Sequence, residues 1–327
     1  MTQAHPYDAL TPEVILDAVE RIGVRCTGGL LALNSYENRV YRVDTEAQGP
    51  LAAKFYRPQR WSDAQILEEH AFTEQLSSQE IPAISPLAGP DGSTLCNYAG
   101  FRYAVFPWQP GRTSELGGAD ERRMLGRYLG RLHRVGASEK FHTRPRLTVD
   151  SFGREPVAYL LGHGFLPEYL VTPYRSLTQN LLEHITRSLD LAAPRILRMH
   201  GDCHLGNLLW TESGPHIVDF DDCRSGPAIQ DLWMLLSGDR DSMQQQVADI
   251  LEGYTSFMDF DASELALIEP LRTLRLLHYS SWLARRWEDP AFPRNFPWFN
   301  TTRYWEEHIL ALREQEALMQ EAPLSWA

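Results

Sequence analysis

Residues 199–222 constrain the fold more than any other stretch of the chain. They read Met-His-Gly-Asp202, four residues, Asn207, and then two short apolar runs that lead to Asp219. The runs, Leu-Leu-Trp and Ile-Val, flank Glu-Ser-Gly-Pro, a composition typical of a turn between two buried strands. The predicted hairpin brings Asp202, Asn207 and Asp219 to the same end of two adjacent strands. Carboxylate and amide oxygens in one small pocket suit a hard cation such as Mg²⁺.

Composition limits the possible partners of the chain. Of its 327 residues, 43% are hydrophobic and 23% are charged, which is ordinary for a globular protein of one or two domains. The net charge of −12 argues against nucleic-acid and membrane partners, because both need a positive surface. No signal peptide or bilayer-spanning apolar run is visible. The four cysteines are widely spaced, so we expect no disulfide framework and a cytoplasmic location. We also expect a monomer.

The N-terminal third predicts a small β-sheet with flanking helices. A helix is expected at 11–22, because Thr11 can cap its first turn and Pro12 suits its first position. Alternating and apolar runs predict strands at 28–33, 39–43 and 51–56, and two more between 84 and 106.

Lys54 interrupts the apolar strand Leu-Ala-Ala-Lys-Phe-Tyr. A lysine in such a run either faces solvent or has an acidic partner. The following Ser62-Asp-Ala-Gln resembles a capping box and predicts a helix from there to about residue 76. Glu68 and Glu69 both lie on this helix and project about 100° apart, so only one of them can face Lys54.

A hinge is predicted at residues 106–112. The strand that ends at Phe106 runs into Pro-Trp108-Gln-Pro-Gly, and a strand that closes on Pro and Gly is a natural connector between lobes. We therefore divide the chain into an N-terminal lobe, 1–106, and a helical C-terminal lobe, 107–327. Within the second lobe, helical spacing of apolar residues is found at 120–134, 175–191 and 228–236.

Asp231 lies within the predicted helix 228–236, which is apolar nearly all round. A carboxylate in that setting needs hydrogen-bond donors. We expect Asp231 to accept hydrogen bonds from the backbone around His200 and Gly201, which would fix the loop that carries Asp202. His200 is expected to hold this loop and to take no part in the chemistry.

Several further segments carry a resemblance to a known family. They read Leu-Asn-Ser-Tyr-Glu-Asn-Arg-Val-Tyr at 33–41, Lys-Phe-Tyr-Arg-Pro at 54–58, Ile-Leu-Glu-Glu-His at 66–70, His-Gly-Asp-Cys-His at 200–204, Gly-Pro-Ala-Ile-Gln-Asp-Leu-Trp-Met-Leu-Leu at 226–236 and Asp-Pro-Ala-Phe-Pro at 289–293. From about residue 10 to about residue 305, the chain resembles the bacterial stress response kinase family. That family lies within the aminoglycoside phosphotransferase and choline kinase branch of the kinase-like superfamily. His-Gly-Asp and Asp-Phe-Asp, where protein kinases have His-Arg-Asp and Asp-Phe-Gly, resemble the same branch.

The resemblance implies a fold and a reaction. The fold is α+β and bilobal, with a small antiparallel sheet and one helix in the N-terminal lobe and a larger, mostly helical C-terminal lobe. The reaction is ATP- and Mg²⁺-dependent transfer of the γ-phosphoryl group to a hydroxyl. Asp202 would accept or orient the hydroxyl proton, and Asp219 and Asn207 would hold the metal. The residues implied for ATP are Ser35 in the first strand turn, Lys54 on the phosphates, Glu69 as its partner with Glu68 in reserve, and Phe106 and Trp108 beside the adenine.

Other interpretations of the same residues stay open. His200, Asp202, His204 and Asp219 can form a zinc or di-metal site for hydrolysis. A pseudokinase would bind nucleotide without transferring phosphate.

The roles of three further features stay open. Asp221 and Asp222 can bind a second ion through water or simply repel anionic substrates. Cys203 follows Asp202, so its oxidation would lower activity if its thiol were reactive. The proline-rich segment 289–299 borders the substrate cleft or packs in the core.

The phosphate acceptor is predicted from the resemblance alone. No Ala-Pro-Glu signal follows Asp219, which argues against control by an activation loop. Members of the wider branch phosphorylate small hydroxyl compounds, whereas the stress response kinases are described as acting on Ser and Thr of proteins. We favour a protein acceptor in a bacterial stress response and retain a small hydroxyl compound as the alternative.

Overall fold

The computed structural model describes residues 7–33 and 35–326. Within these residues, the strands are β1 (Cys26–Ala32), β2 (Arg39–Thr45), β3 (Leu51–Phe55), β4 (Cys96–Tyr98), β5 (Phe101–Pro107), β6 (Ile196–Met199), β7 (Leu208–Thr211), β8 (Gly214–Ile217) and β9 (Arg224–Pro227). The α-helices are α1 (Pro12–Glu20), α2 (Asp63–Ser78), α3 (Ala119–Gly136), α4 (Glu155–Gly162), α5 (Glu168–Ala192), α6 (Ile229–Trp233), α7 (Arg240–Tyr254), α8 (Ile268–Arg285), α9 (Ala291–Asn295) and α10 (Thr302–Leu318). The predicted N-terminal strands and the hairpin β7–β8 are confirmed.

The N-terminal sheet is antiparallel, with the strand order β1-β2-β3-β5-β4. In β3, Ala53 and Phe55 point into a core that α1 covers. Lys54 points to the other face, because successive side chains alternate along a strand. On that face it pairs in register with Val40 and Ala104 of the neighbouring strands. The sheet thus has one apolar face for folding and one face that carries a buried cation.

Two helices accompany the sheet, one more than the resemblance implied for this lobe. Thr11 caps α1, as predicted, by accepting a hydrogen bond from the backbone of Val14 at 3.4 Å. The predicted capping box opens α2: Ser62 Oγ accepts from Gln65 N at 3.3 Å, and Gln65 Oε1 accepts from Ser62 N at 2.9 Å. These caps are local, so they could be predicted without knowing the tertiary structure.

The larger core is built by the helices beyond residue 107, although side chains at the end of α2 also enter it, among them Phe72 and Leu76. The chain division at 106 therefore stays a prediction. Two close contacts bring α3 and α7 together: a Cβ on Gly126 would collide with the carbonyl oxygen of Ile250, and one on Gly253 with that of Arg123. Only glycine fits at these contacts, because both backbones touch.

The helix predicted at 228–236 is shorter than expected. It has α-helical geometry only over α6, and the next turn tightens through bonds from Leu235 N to Leu232 O and from Leu236 N to Trp233 O. Gly238, with φ of 89°, lies just beyond this turn. Helices commonly end in such a tight turn before a left-handed glycine. The helix predicted at 175–191 is longer, because α5 already begins at Glu168.

Segment 289–299 is core only in part, and whether it borders the substrate cleft stays a prediction. Phe292, Phe296 and Phe299 are buried. Its first residue, Asp289, nevertheless pairs with Arg57, which follows β3. The segment therefore also joins the C-terminal half of the chain to the sheet.

A buried carboxylate beneath α6 predicts a pH dependence of stability. Glu264 is 3% exposed and accepts a hydrogen bond from Ile229 N at 3.0 Å. Burial raises the pKa of Glu264 to about 7. Since the folded-state pKa lies above that of the unfolded chain, the stabilisation is complete at acid pH and is lost as the pH rises through about 7. Between pH 5 and pH 8 we expect the protein to lose about 2–3 kcal/mol of unfolding free energy relative to Glu264→Gln.

Urea unfolding of both proteins at pH 5, 6, 7 and 8 measures this loss. The substitution keeps an oxygen that can accept the bond from Ile229 but has no proton to lose. A difference between the two proteins that stays constant from pH 5 to pH 8 would contradict the assignment to Glu264.

Candidate active site

The candidate catalytic loop, residues 200–207, carries Asp202 and Asn207 and begins where β6 ends. Gly201 has a φ of 83°, and a Cβ there would collide with the carbonyl oxygen of Asp222, so no other residue fits without strain. His200 is fully buried, and both of its ring nitrogens are used: Nε2 bonds Val218 O at 2.9 Å and Nδ1 accepts from Asp202 N at 3.2 Å. His200 therefore fixes the loop, as predicted.

Asp231 holds the same loop from α6. Its Oδ2 accepts from His200 N at 2.7 Å and its Oδ1 from Gly201 N at 2.8 Å, which confirms the predicted contacts. His133 of α3 lies 3.1 Å from Oδ2, and its other nitrogen lies 3.0 Å from Tyr254 Oη. Burial alone would raise the pKa of Asp231. The hydrogen bond and the electrostatic interaction with His133 outweigh burial, so the pKa of Asp231 lies below its usual value. A buried chain of hydrogen bonds thus connects α7 to the loop.

Replacement of Asp231 by Ala should lower phosphoryl transfer more than nucleotide affinity, because two buried backbone N–H groups lose their acceptor and the loop loses its anchor. We expect a loss of about 2–4 kcal/mol in unfolding free energy and about 10²-fold in kcat. Urea unfolding, turnover and nucleotide titration measure the three quantities. Equal losses in kcat and nucleotide affinity would contradict this role.

Asp249→Ala is the matched control. Asp249 is also buried, at 2% exposure, and pairs with Arg122 at 2.7 Å. In the part of the chain that the structure describes, the hydrogen bonds and ion pairs of Asp249 go to Arg122, Arg123 and Gln245 and not to the catalytic loop. Asp249→Ala should therefore lower the free energy of unfolding but should not lower kcat selectively, as Asp231→Ala does.

The two predicted metal ligands fit a magnesium ion. Asn207 Nδ2 donates to the carbonyl oxygen of Asp202 at 3.0 Å, so the amide oxygen points away and can coordinate a metal. Asp219 is held in a left-handed conformation, with φ of 59°, and its side chain is 57% exposed. One carboxylate and one amide oxygen, with room for water and phosphate oxygens, match the ligand preference of Mg²⁺.

Lys54 connects the sheet to these carboxylates. Its Nζ lies 3.2 Å from Glu69 Oε1, 3.3 Å from Asp219 Oδ1 and 2.9 Å from Asp221 Oδ1. Burial lowers the pKa of Lys54, but the carboxylates of Asp221, Glu69 and Asp219 raise it well above its usual value. The ammonium group therefore stays charged and is aimed at the predicted metal site.

Lys54 pairs with Glu69, whereas Glu68 binds backbone N–H groups of the loop that follows α3. Glu69 also bonds the buried guanidinium of Arg144 at 2.7 Å. Glu68 accepts hydrogen bonds from three consecutive backbone N–H groups, those of residues 142–144, at 2.5, 2.9 and 2.7 Å. Both glutamates thus fix α2 against the loop that follows α3, but only Glu69 faces the cleft.

Asp221 and Asp222 are already neutralised. Arg60 pairs with both, Lys54 with Asp221 and Arg224 with Asp222 at 2.6 Å. Burial raises the pKa of Asp221, but Arg60 and Lys54 lower it to about 2. These carboxylates therefore anchor arginines and the lysine, which argues against both a second metal and repulsion of anions.

Ser35, Phe106 and Trp108 lie at the sheet side of the cleft. Ser35 Oγ donates to Asn38 O at 3.0 Å, whereas Asn34, in the same predicted turn, lies outside the described residues. Phe106 is on the Lys54 face of β5 and is half-buried, and Trp108 packs under the guanidinium of Arg42 at 5.5 Å. Their roles toward ATP stay predictions.

The loop between β1 and β2 is fastened to α8 by a residue that the sequence analysis did not single out. Glu37 is 9% exposed and accepts from Trp282 Nε1 at 2.7 Å and from Arg286 Nη2 at 2.7 Å. Arg57 Nε lies 3.4 Å away. Glu37 stands within the quoted segment 33–41, but nothing in that segment indicates partners nearly 250 residues later.

Arg275, also of α8, was missed as well. Its Nη1 lies 2.5 Å from Asp202 Oδ1, so it contacts the residue predicted to receive the hydroxyl proton. Arg275 lies in an ordinary helical pattern without a motif, so no sequence signal distinguishes it from the neighbouring arginines.

Two alternatives lose support. Cys203 is fully buried, and burial raises the pKa of its thiol well above the usual value, which argues against a redox role in the folded protein. A zinc site would need His200, whose nitrogens are engaged. Within residues 7–33 and 35–326, no group of three His, Cys, Asp or Glu side chains is arranged to hold a metal.

The chain belongs to the phosphotransferase enzyme family, whose model matches residues 30–268. Over 323 residues it is 44% identical to "Stress response kinase A" of Escherichia coli strain K12, a match that covers 98% of this chain and 97% of the relative. The same figures describe its similarity to "Serine/threonine protein kinase RdoA" of Salmonella typhimurium. The protein is therefore a kinase of the stress response kinase family, as the resemblance implied.

The solved structures agree with this fold. An amicoumacin kinase in complex with AMP-PNP, Ca²⁺ and its ligand superposes with a TM-score of 0.73 at 17% identity, covering 96% of this chain and 94% of that one. This confirms the kinase-like α+β fold. In the described part of the chain, we find no helix with the length and apolarity needed to cross a membrane.

Proposed function

We propose that the protein transfers the γ-phosphoryl group of ATP, with Mg²⁺, to Ser or Thr of proteins. The observation that carries the proposal is the position of Lys54, bonded to Glu69 on one side and to Asp219 on the other. This lysine joins the sheet face to the carboxylate and amide oxygens that suit a metal. The name of the Salmonella relative, at 44% identity, supports Ser and Thr as acceptors.

The residues have distinct roles in the proposed reaction. Asp202 accepts the proton of the acceptor hydroxyl, whose oxygen forms a bond to the γ-phosphorus while the bond from that phosphorus to the bridging oxygen of ADP breaks. Lys54 neutralises phosphate oxygens of the nucleotide. Asn207 and Asp219 hold Mg²⁺, which when bound shields the charge of the phosphates.

The nucleotide is proposed to lie between the sheet and the β7–β8 hairpin. Ser35 would meet its phosphates from the β1–β2 loop, and Phe106 and Trp108 would flank the adenine. Glu69 keeps Lys54 in place, and Asp231 keeps Asp202 in place through the loop backbone. We further propose a cytoplasmic, monomeric protein; the wide spacing of the four cysteines supports a reducing compartment.

A small hydroxyl compound is the second candidate acceptor. It is favoured by the similarity in fold to the amicoumacin kinase, which was solved with its small-molecule ligand. Nine residues, 220–228, separate Asp219 from the buried helix α6, and four of them form β9, so a long activation segment is not available to bind a peptide.

Labelled ATP tests both candidates. The protein is incubated with γ-labelled ATP and Mg²⁺, alone and with cell extract fractionated by size. Label on proteins supports the proposed function, and label confined to a small compound supports the second candidate. Label only in inorganic phosphate, or no consumption of ATP, contradicts both.

A further inference from the structure

Arg275 contacts Asp202, the carboxylate that would accept the proton of the acceptor hydroxyl. Its Nη1 holds Asp202 Oδ1 at 2.5 Å, which leaves Oδ2 for the incoming hydroxyl. His204 Nε2 is 3.6 Å from Oδ2, beyond ordinary hydrogen-bonding distance. Burial lowers the pKa of His204, so this imidazole is neutral at pH 7. Arg275 thus supplies the positive charge next to Asp202.

Arg275 differs from the other arginines around the cleft. Four of them pair with carboxylates that have no proposed role in the transfer: Arg57 with Glu37 and Asp289, Arg60 with Asp221 and Asp222, Arg224 with Asp222, and Arg286 with Glu37. Arg144 pairs with Glu69, which holds Lys54 and does not meet the acceptor. The partner of Arg275 is Asp202 itself, and its side chain is 36% exposed. A guanidinium has five N–H donors in a planar fork. Arg275 can therefore keep Nη1 on Asp202 and bind a second carboxylate through Nη2 and Nε.

An aromatic wall continues from Arg275 along α8. Tyr279, one turn further on, is 37% exposed and stacks on Trp282 with ring centroids 5.6 Å apart. Trp282 contacts Phe296 at 5.8 Å, and Phe296 contacts Tyr36 of the β1–β2 loop at 4.8 Å. Tyr36 is also 37% exposed. The surface next to Asp202, where the acceptor hydroxyl would bind, thus combines the cation of Arg275 with the exposed aromatic rings of Tyr279 and Tyr36.

We propose that the acceptor carries a carboxylate close to its hydroxyl, and that Arg275 binds this carboxylate. The inference rests on the proposed function, because it assumes that the hydroxyl meets Asp202. A cationic amine at that place would lie against the guanidinium, where like charges repel strongly in a partly buried site. A Ser or Thr flanked by Asp or Glu has the required chemistry, and so does a small hydroxy acid. The aromatic wall would cover the apolar part of either acceptor.

The test compares acceptors that differ in charge. The full-length protein is given labelled ATP and Mg²⁺ with a Ser/Thr peptide library that varies each flanking position, and with a panel of small hydroxy acids and matching amino alcohols. We expect kcat/KM to be about tenfold or more higher for acceptors with a carboxylate near the hydroxyl. Preference within the library identifies a peptide acceptor, and preference within the panel identifies a metabolite.

Arg275→Gln should reduce this preference to within about threefold, mainly through a higher KM for the carboxylate-bearing acceptor. Arg285→Gln is the matched control: it removes an exposed charge from the same helix, where Arg285 lies over Tyr159 at 4.2 Å, and should keep the preference.

Equal use of acidic and basic acceptors, or preference for amines, overturns the inference while leaving the proposed function intact. An equal fall in kcat for all acceptors in Arg275→Gln, with the preference for carboxylates unchanged, also overturns it, because Arg275 would then serve only to hold Asp202. If no carboxylate-bearing acceptor is labelled, the inference is wrong. If ATP is not consumed either, the proposed function fails with it.

Discussion

Asp202→Asn should lower the rate of phosphoryl transfer by about 10²- to 10⁴-fold with little change in nucleotide affinity. The amide has the size of the carboxylate but cannot accept the hydroxyl proton. Nucleotide contacts are assigned to other residues, so binding should remain within about threefold of the unmodified protein. Single-turnover transfer and titration with a nucleotide analogue measure the two quantities separately.

Asp150→Asn is a suitable control for this substitution. Asp150 is on the surface, with a side chain 66% exposed, and pairs with Arg154 at 2.7 Å. Removing its charge should leave both the rate and the affinity unchanged. If Asp202→Asn kept half of the transfer rate, Asp202 would not be the proton acceptor, and the assignment of the whole loop would need revision.

The second large effect is expected at Glu69, and the adjacent glutamate provides a matched comparison. Glu69→Gln leaves the buried Arg144 without its charged partner and removes one of the three carboxylates that surround Lys54. We expect kcat/KM for ATP to fall about 10²-fold, because the ammonium group of Lys54 shifts from its position. The free energy of unfolding should fall by about 3 kcal/mol, the usual cost of breaking a buried ion pair on one side.

Glu68→Gln should behave differently. It weakens the hydrogen bonds from three backbone N–H groups, which costs about 1–2 kcal/mol of stability. The side chain of Glu68 has no contact with Lys54, so kcat/KM for ATP should stay within about threefold. Steady-state kinetics and urea unfolding of both variants decide the comparison. A larger kinetic loss in Glu68→Gln than in Glu69→Gln would contradict the pairing described here.

The contacts of Glu37 with Trp282 and Arg286 show why some of the site could not be predicted from the sequence. Its partners on α8 are separated from it by 245 and 249 positions along the chain. Glu37 and its partners on α8 come together only through the packing of the N-terminal sheet against the helices. No short sequence pattern predicts that packing. The same holds for Arg144, whose pairing with Glu69 joins residues 75 positions apart.

What the sequence alone determined was local. The hairpin β7–β8 follows from two apolar runs around a turn, the start of α2 from a capping box, and the spacing of Asp202, Asn207 and Asp219 from a short loop and one hairpin. Each of these depends on hydrogen bonds and side-chain periodicity within about ten to twenty residues, so the residue order is sufficient to predict them. The resemblance to a family then supplied the fold and the reaction.

Tertiary structure alone decided which distant charges meet. Glu68 and Glu69 are equivalent in the sequence, and only the docking of α2 turns Glu69 toward Lys54. Cys203 directly follows Asp202 in the sequence, and only the packing around the loop shows that its thiol is buried. Arg275 of α8 contacts Asp202 although the two residues are 73 positions apart in the chain. Ion pairs of this kind depend on the relative position of whole elements, which is set by the burial of the two cores and not by any short pattern of residues.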